Sequence, residues 1–301
     1  MAKAKKKTLP KDFRELLEKG DVAQLKAVFD TCEVDARVSY GDKETALAFF
    51  ACPPELARWL AAQGADIAAV DIHGNTPLHK HAGSFRGLLP LLIELGADVN
   101  APTGSGATAL HLAAENQNAS NARMLIEAGA KVDAPNRSGM TPLEVALYSA
   151  SNARLELAAE LADCLLAAGA QKTPRMREAV EKLGKNFEFH RKNFNPKSVE
   201  AASAALDRLY ELFGATAAPR RKTYDGKSPI VVANGDWQQQ HQALWDLLVP
   251  SSGAASTVQG EVIRVSGRII DELDRNGGGN WDADYRKMAD AFLVYIRMGE
   301  Q

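Results

Sequence analysis

Asn75-Thr76-Pro77-Leu78-His79, followed by Gly96-Ala97-Asp98-Val99-Asn100, carries the architecture of this chain. The first phrase recurs as Glu44-Thr45-Ala46-Leu47, Ala107-Thr108-Ala109-Leu110-His111 and Met140-Thr141-Pro142-Leu143-Glu144, with threonines 31, 32 and 33 residues apart. The second recurs in shortened form as Gly64-Ala65, Gly129-Ala130 and Gly169-Ala170. A period near 33 with a fixed internal grammar is the signature of a helical solenoid. Thr76 suits a helix cap, because its hydroxyl can accept the amide three residues on. Pro77 then falls at the first helical position, where a missing N–H costs nothing. His79 can bond back to the cap and keep its other ring nitrogen for a backbone carbonyl. Gly96 supplies the left-handed residue that ends a second helix. Asp98-Val99-Asn100 then leads through Pro102, Gly104 and Gly106 into the next turn, as a protruding finger requires.

On Thr76-Pro77-Leu78-His79 with Gly96-Ala97-Asp98-Val99-Asn100, and on Thr108-Ala109-Leu110-His111-Leu112-Ala113-Ala114, residues 42–135 resemble the ankyrin repeat family. The resemblance implies a finger, two antiparallel helices and a short loop per unit, stacked into a curved array. It also implies binding of other proteins through finger tips and the inner-helix face.

Outward from this centre the units are less regular. Phe13 to Ala36 reads as a degenerate first unit: a helix to Lys19, a break at Gly20-Asp21, a second helix, and Val34-Asp35-Ala36 in the finger position. Lys11, Asp12, Arg14, Glu15 and Glu18 give it the charged face an exposed end needs. Residues 1–9, with Lys3, Lys5, Lys6 and Lys7, are expected to be a basic disordered tail. The fifth unit, Ser138 to Gly169, has 40 residues between Gly-Ala pairs against 33 before it, which predicts a longer second helix. The fold expected is all-α: an ankyrin-repeat solenoid of about five units over 10–171, then a small helical C-terminal domain over 172–301. His81 stands where the repeat wants alanine, Ala48 where it wants histidine, and Cys52-Pro53-Pro54 rewrites a loop. Pro90 is tolerable only if its helix begins near Gly87. These departures read as drift.

In the second half the pattern predicts helices over 174–183, 197–213, 236–248, 257–275 and 283–298. Val258, Val262, Val265, Ile269 and Leu273 share one face of the fourth. Phe187, Phe189 and Phe194 are expected to cover the open end of the solenoid. The stretch Gly214 to Asp236, with Arg220, Arg221, Lys222 and Lys227 around Tyr224, reads as a solvated connector, with phosphate or nucleic-acid binding as the alternative. Pro229-Ile230-Val231-Val232 could form at most a short strand. Some segments here, such as Asn276-Gly277-Gly278-Gly279-Asn280-Trp281-Asp282, resemble uncharacterised bacterial proteins and imply no chemistry.

Catalytic and metal motifs fail on inspection. Gly226-Lys227-Ser228 lacks the phosphate loop's earlier glycine, which is Arg221 here. The stretch from Asp274 to Asp282 has a calcium loop's look, but its fifth position is Gly278 and its twelfth Tyr285. The six histidines and three cysteines are dispersed, which argues against zinc, and Ser251 and Ser252 lack a nucleophile elbow. No catalytic residue, metal site or cofactor is assigned. No apolar run is long enough to cross a membrane, no signal peptide is read, and Cys32, Cys52 and Cys164 suit reduced thiols in a cytoplasm.

The net charge of −2 conceals a split. Residues 11–170 carry 13 Lys/Arg and 21 Asp/Glu, a balance of −8, whereas 171–301 carry 19 and 17. An acidic solenoid disfavours nucleic acid and favours a protein partner with a basic surface. The expected function is non-enzymatic protein binding, most specifically as a bacterial cytoplasmic immunity protein against a basic toxin. A general adaptor or chaperone-like scaffold is the alternative, as is an enzyme with residues 172–301 as catalyst. The expected contact residues are Phe49, Lys80, Leu112 and Val145 directly after each phrase, and Glu115, Asn116 and Tyr148 one turn on. Asp71, His73, Thr103, Asn136 and Arg137 join them from the fingers.

Overall fold

The threonines start the helices, and the residue three positions later decides how firmly. A computed structural model describes residues 4–222, 224–225, 227–231, 234–250, 253–274 and 287. In the third unit Thr76 caps α4 (Pro77–Ala82), which is followed by α5 (Leu89–Glu94); numbering starts from α1 (Phe13–Lys19), α2 (Val22–Thr31) and α3 (Pro54–Ala62). The fourth unit is α6 (Ala109–Glu115) and α7 (Ala119–Glu127), and the fifth α8 (Pro142–Ser149) and α9 (Leu155–Ala167). At thirteen residues α9 is the longest second helix of the array, which with the longer link through Asn152–Arg154 accounts for most of the wider Gly-Ala spacing.

The His79 ring locks its cap. Nδ1 accepts from the Thr76 amide at 3.2 Å and meets the Thr76 hydroxyl at 2.8 Å, so Nε2–H donates to the Ala101 carbonyl at 2.9 Å. His111 repeats this on Thr108, with Nε2 reaching Met140 O at 3.0 Å. In the fifth unit Glu144 accepts from the Thr141 amide at 3.1 Å. A carboxylate cannot donate to a carbonyl as imidazole does, and its other oxygen instead accepts from the Thr173 hydroxyl at 2.8 Å. Second helices end on Gly64, Gly96, Gly129 and Gly169, all at φ between +84° and +94°, where a Cβ would be strained.

Successive fingers are stitched by one backbone bond each: Ile72 N–H to Asp42 O, Gly104 N–H to His73 O and Arg137 N–H to Ser105 O, at 2.9–3.1 Å. Gly74 must lack a side chain, because a Cβ there would lie 2.5 Å from Gly104 N.

The second unit departs from this plan. Its first helix shrinks to a 3-10 turn over Ala46–Ala48. Pro53 can donate no amide to continue a helix, and each proline of the Pro53-Pro54 pair pushes its predecessor to extended backbone. Ala48 offers no ring to the cap, and the buried Thr45 hydroxyl has no partner. His81 repairs the damage from the next unit. Fully buried, it accepts the Leu88 amide on Nδ1 at 3.0 Å and donates from Nε2 to the Leu47 carbonyl at 2.9 Å. The substitutions read as drift are therefore linked. Gly87 belongs to the set, since a Cβ there would fall 2.2 Å from His81 Nδ1. Pro90 sits in the first turn of α5, where its ring is harmless.

At the N-terminus the expected tail is corrected in part. Lys6–Thr8 forms β1, paired in parallel with β2 (Cys32–Arg37), and Leu9 is buried behind it. Lys5 Nζ donates to Phe29 O at 2.7 Å, near the C-terminal end of α2, where a cation is favoured. Phe13 is buried between Phe29 and Phe49, with ring centroids 6.1 and 6.0 Å away.

By contacts the chain divides into Met1–Gly184 with Lys197–Ala217, and Lys185–Pro196 with Ala218–Gln301. The division thus falls after the expected boundary at 171. The first of these two bodies takes in the early turns of α10 (Pro174–His190) and most of α11 (Pro196–Phe213). Tyr210 of α11 sits where a Cβ at Gly184 would be, and Arg208 pairs with Asp163 of α9 at 2.7 Å. Phe187, Phe189 and Phe194 fall in the second body, where Phe187 and Phe194 meet edge to face at 5.0 Å. That body also contains α12 (Trp237–Leu248) and α13 (Val258–Asp274), packed together. No strand forms over Pro229 to Val231. The helix expected over 283–298 and the calcium-like glycine run lie outside the described residues, Lys287 aside.

Candidate protein-binding surface

The two faces of the repeat unit differ in kind. Along the second helices, charges pair from one unit to the next: Lys26 with Glu55, Arg58 with Glu94 and Arg123 with Glu160, at 2.7–2.8 Å. Among the described residues of the repeat array, none of the exposed large apolar side chains lies on α3, α5, α7 or α9. They are Tyr40, Val70 and Ile72 in fingers, Phe50 and Phe85 in the links after first helices, and Tyr148 on α8. Phe85 is 65% exposed and Tyr148 53%.

The expected contact residues sort into three groups. His73, Glu115, Arg137 and Tyr148 are exposed. Lys80, Leu112, Asn116, Asn136 and Val145 are half-buried, and Asn116 donates to Leu112 O at 3.0 Å. Phe49, Asp71 and Thr103 are buried. Phe49 is core, with the Arg14 guanidinium 5.4 Å from its ring centroid. Asp71 is committed to its own finger, where Oδ1 accepts the amides of His73 and Asn75, both at 2.8 Å. Thr103 Oγ1 does the same for Ser105 and Ala107, and Asn136 Oδ1 for Ser138 and Met140. These three side chains therefore shape the fingers that carry their neighbours. Phe50, Ile72 and Phe85 were absent from the expected set; their signal in the sequence is a large apolar residue in a finger or link where solvent favours polar ones.

Lys80 has a particular environment. Its ammonium lies 2.8 Å from Asp42, 2.7 Å from Glu44 and 3.5 Å from Asp71. Burial alone would lower its pKa, but the hydrogen bonds it donates to Asp42 and Glu44 outweigh that and raise it. Lys80 in turn holds the Asp42 carboxyl below its ordinary value. The three carboxylates come close enough together to suit a cation, and Lys80 supplies that charge itself.

The cysteines are unpaired; Cys32 and Cys52 are buried, and Cys164 is half-buried. Burial pushes the Cys52 thiol up to about 12, which makes it inert as a nucleophile. Among the described residues no helix is long and apolar enough to cross a membrane.

Residues 80–175 match the family model for ankyrin repeats, in three copies. That stretch runs from α4 to the start of α10 and leaves the repaired second unit outside. No curated protein matches the chain. Ankyrin repeats are protein–protein interaction modules and generally non-catalytic.

Proposed function

We propose that the protein acts by stoichiometric binding of another protein, through the fingers and first helices of units two to five. The observation that carries this reading is the partition of exposed apolar side chains, which occupy the fingers, links and α8 and avoid the second helices. Large apolar groups left in water at one face of a rigid array are characteristic of an interaction site. The acidic balance of residues 11–170 supports a partner with a basic surface, because opposite charge accelerates encounter. In its narrowest form the partner is a cationic toxin that the repeat array occludes, and the support is that same charge balance. Affinity capture from the native host with mass spectrometry, followed by kinetics on the captured protein, tests the proposal. Ile72→Ser and Tyr148→Ser should each speed dissociation about tenfold or more if they are anchors, and salt should slow association. A captured partner whose affinity is unchanged by both, yet lost on substitution of exposed residues along α5 and α7, overturns the choice of face. An acidic partner with salt-independent association removes the electrostatic part.

A further inference from the structure

The basic stretch after residue 217 does not behave as the solvated connector its composition suggests. Arg221 reaches down to the end of α12. Its guanidinium donates to the carbonyls of Trp245, Asp246 and Val249, and to Phe189 O at 3.2 Å. It also lies 4.1 Å from the centroid of the Phe189 ring. The Tyr224 amide adds a bond to Leu247 O at 3.1 Å. Arg221 is thereby spent on structure: it fastens the last turn of α10, the 218–222 segment and the C-terminal end of α12 into one wall.

That wall encloses a cleft of about 1000 Å³, at the upper end of the range for small-ligand sites. Lys185, Arg220 and Lys222 line it, are exposed, and make no ion pair or hydrogen bond among the described residues. Of the two acids on the lining, Glu188 pairs with Arg191 at 2.9 Å, while Asp246 keeps its charge, accepts from the neutral Gln242 amide at 2.9 Å and acts on the Arg221 guanidinium. Three like charges that make no ion pair of their own repel one another, and an anion relieves that repulsion. Trp245 also lines the cleft, and its indole is backed by α13: a Cβ at Gly267 would fall 2.4 Å from the ring. A backed indole is a fixed surface for a flat partner. The neighbouring Lys227 and Ser228 amides play no part in this, because Asp225 Oδ1 takes both at 2.8 Å.

The geometry points to a small-molecule site here, for a phosphate-bearing ligand with a flat ring, that is, a ligand of nucleotide class. Phosphate oxygens meet Lys185, Arg220 and Lys222, and the ring lies against the Trp245 side of the cleft. The cations cluster in one cleft, whereas a nucleic-acid strand asks for charge along a groove. This site is independent of the protein-binding face.

Calorimetry on the full chain at low salt tests it with four probes: ATP, inorganic diphosphate, adenosine, and a short oligothymidylate. ATP is expected to bind with Kd below about 1 mM, more tightly than diphosphate, and adenosine more weakly than either. The double variant Arg220→Glu/Lys222→Glu should weaken ATP about tenfold or more, since charge-assisted contacts are lost. Lys185→Glu should do the same in part. Lys227→Glu, an exposed neighbour outside the cleft, should leave ATP affinity unchanged and controls for general charge. Failure of both ATP and diphosphate to bind, or equal affinity in the double variant, overturns the site. Equal affinity for diphosphate and ATP removes the ring from the proposal. Oligothymidylate binding more than about tenfold tighter than ATP makes the cleft a nucleic-acid contact instead and overturns the small-molecule assignment.

Discussion

The second and fourth units begin with nearly the same words and end up held by different means. In the fourth, Thr108 and His111 close on each other and the ring's Nε2–H donates to Met140 O, so the unit satisfies its own helix start. In the second, Thr45 has no histidine to meet, the helix is a single 3-10 turn, and satisfaction comes from His81, 34 residues away from Leu47. A repeat signature therefore guarantees a helix only when the cap and the residue three later are both present. Where one is missing, a stacked neighbour can supply the bond, because each unit of a solenoid packs on the next.

The sharpest way to break the comparison is His81→Ala. It strands the Leu47 carbonyl and the Leu88 amide together in a dry interior and opens a void where the ring was. Each unpaired group costs about 1–3 kcal/mol, and the cavity adds to that. Chemical denaturation should show a loss of about 3–5 kcal/mol. A loss under about 1 kcal/mol would mean that the ring is not the repair.

His111→Ala should be milder, at about 1–3 kcal/mol: it too strands an amide, that of Thr108, but the Met140 carbonyl is only half-buried, so water can replace the ring as its donor. If the two variants cost the same, the second unit is no more dependent on its neighbour than the fourth is on itself.

What the sequence made legible follows from range. Caps, C-terminal glycines and the harmless Pro90 depend on residues within a few positions of one another, and all were readable. His81 was not, since its partners come from two different units and alanine was the only expectation at its position. Asn121 is similar: its side-chain amide donates to His81 O, Ala82 O and Ser84 O, holding the irregular loop of the unit before it. Lys6–Thr8 was hidden by composition, because three polar residues gain strand structure only from a partner already in place. In the candidate surface, its place directly after the repeated phrase puts Phe49 on the inner-helix face, and Phe13 from the degenerate first unit buries it. Asp71, Thr103 and Asn136 are expected as finger contacts, but their side chains fold back on their own turns.

Acid probes the histidines together. Burial lowers the pKa of His79, His81 and His111, and all three hold a neutral ring that accepts on Nδ1 and donates from Nε2. Their unfolded pKa lies near 6.5, so below that pH the unfolded chain binds protons that the folded chain refuses. Stability should be intact above about pH 6.5 and fall as the pH is lowered further, by no more than about 1.4 kcal/mol per pH unit for each group. The His111→Ala variant should show a shallower fall between about pH 6.5 and 5. An unchanged slope would show that this ring titrates alike in both states.

The smallest effect is the most discriminating. Thr45 is 3% exposed, its hydroxyl oxygen is dry and unpartnered, and its backbone is extended at φ −83° and ψ 168°. Valine has nearly the same shape and favours that backbone. Thr45→Val removes an unsatisfied polar atom and adds a methyl in its place, so stability should stay level or rise by up to about 1 kcal/mol. The same change at Thr108 removes a hydroxyl that meets His111 Nδ1 at 3.0 Å and should cost about 1–2 kcal/mol. Opposite signs at two positions of one repeat signature would be the direct measure of how far the second unit has left the pattern. Equal losses at both would mean that Thr45 finds a partner after all, through water or a moved side chain, and that the second unit caps itself.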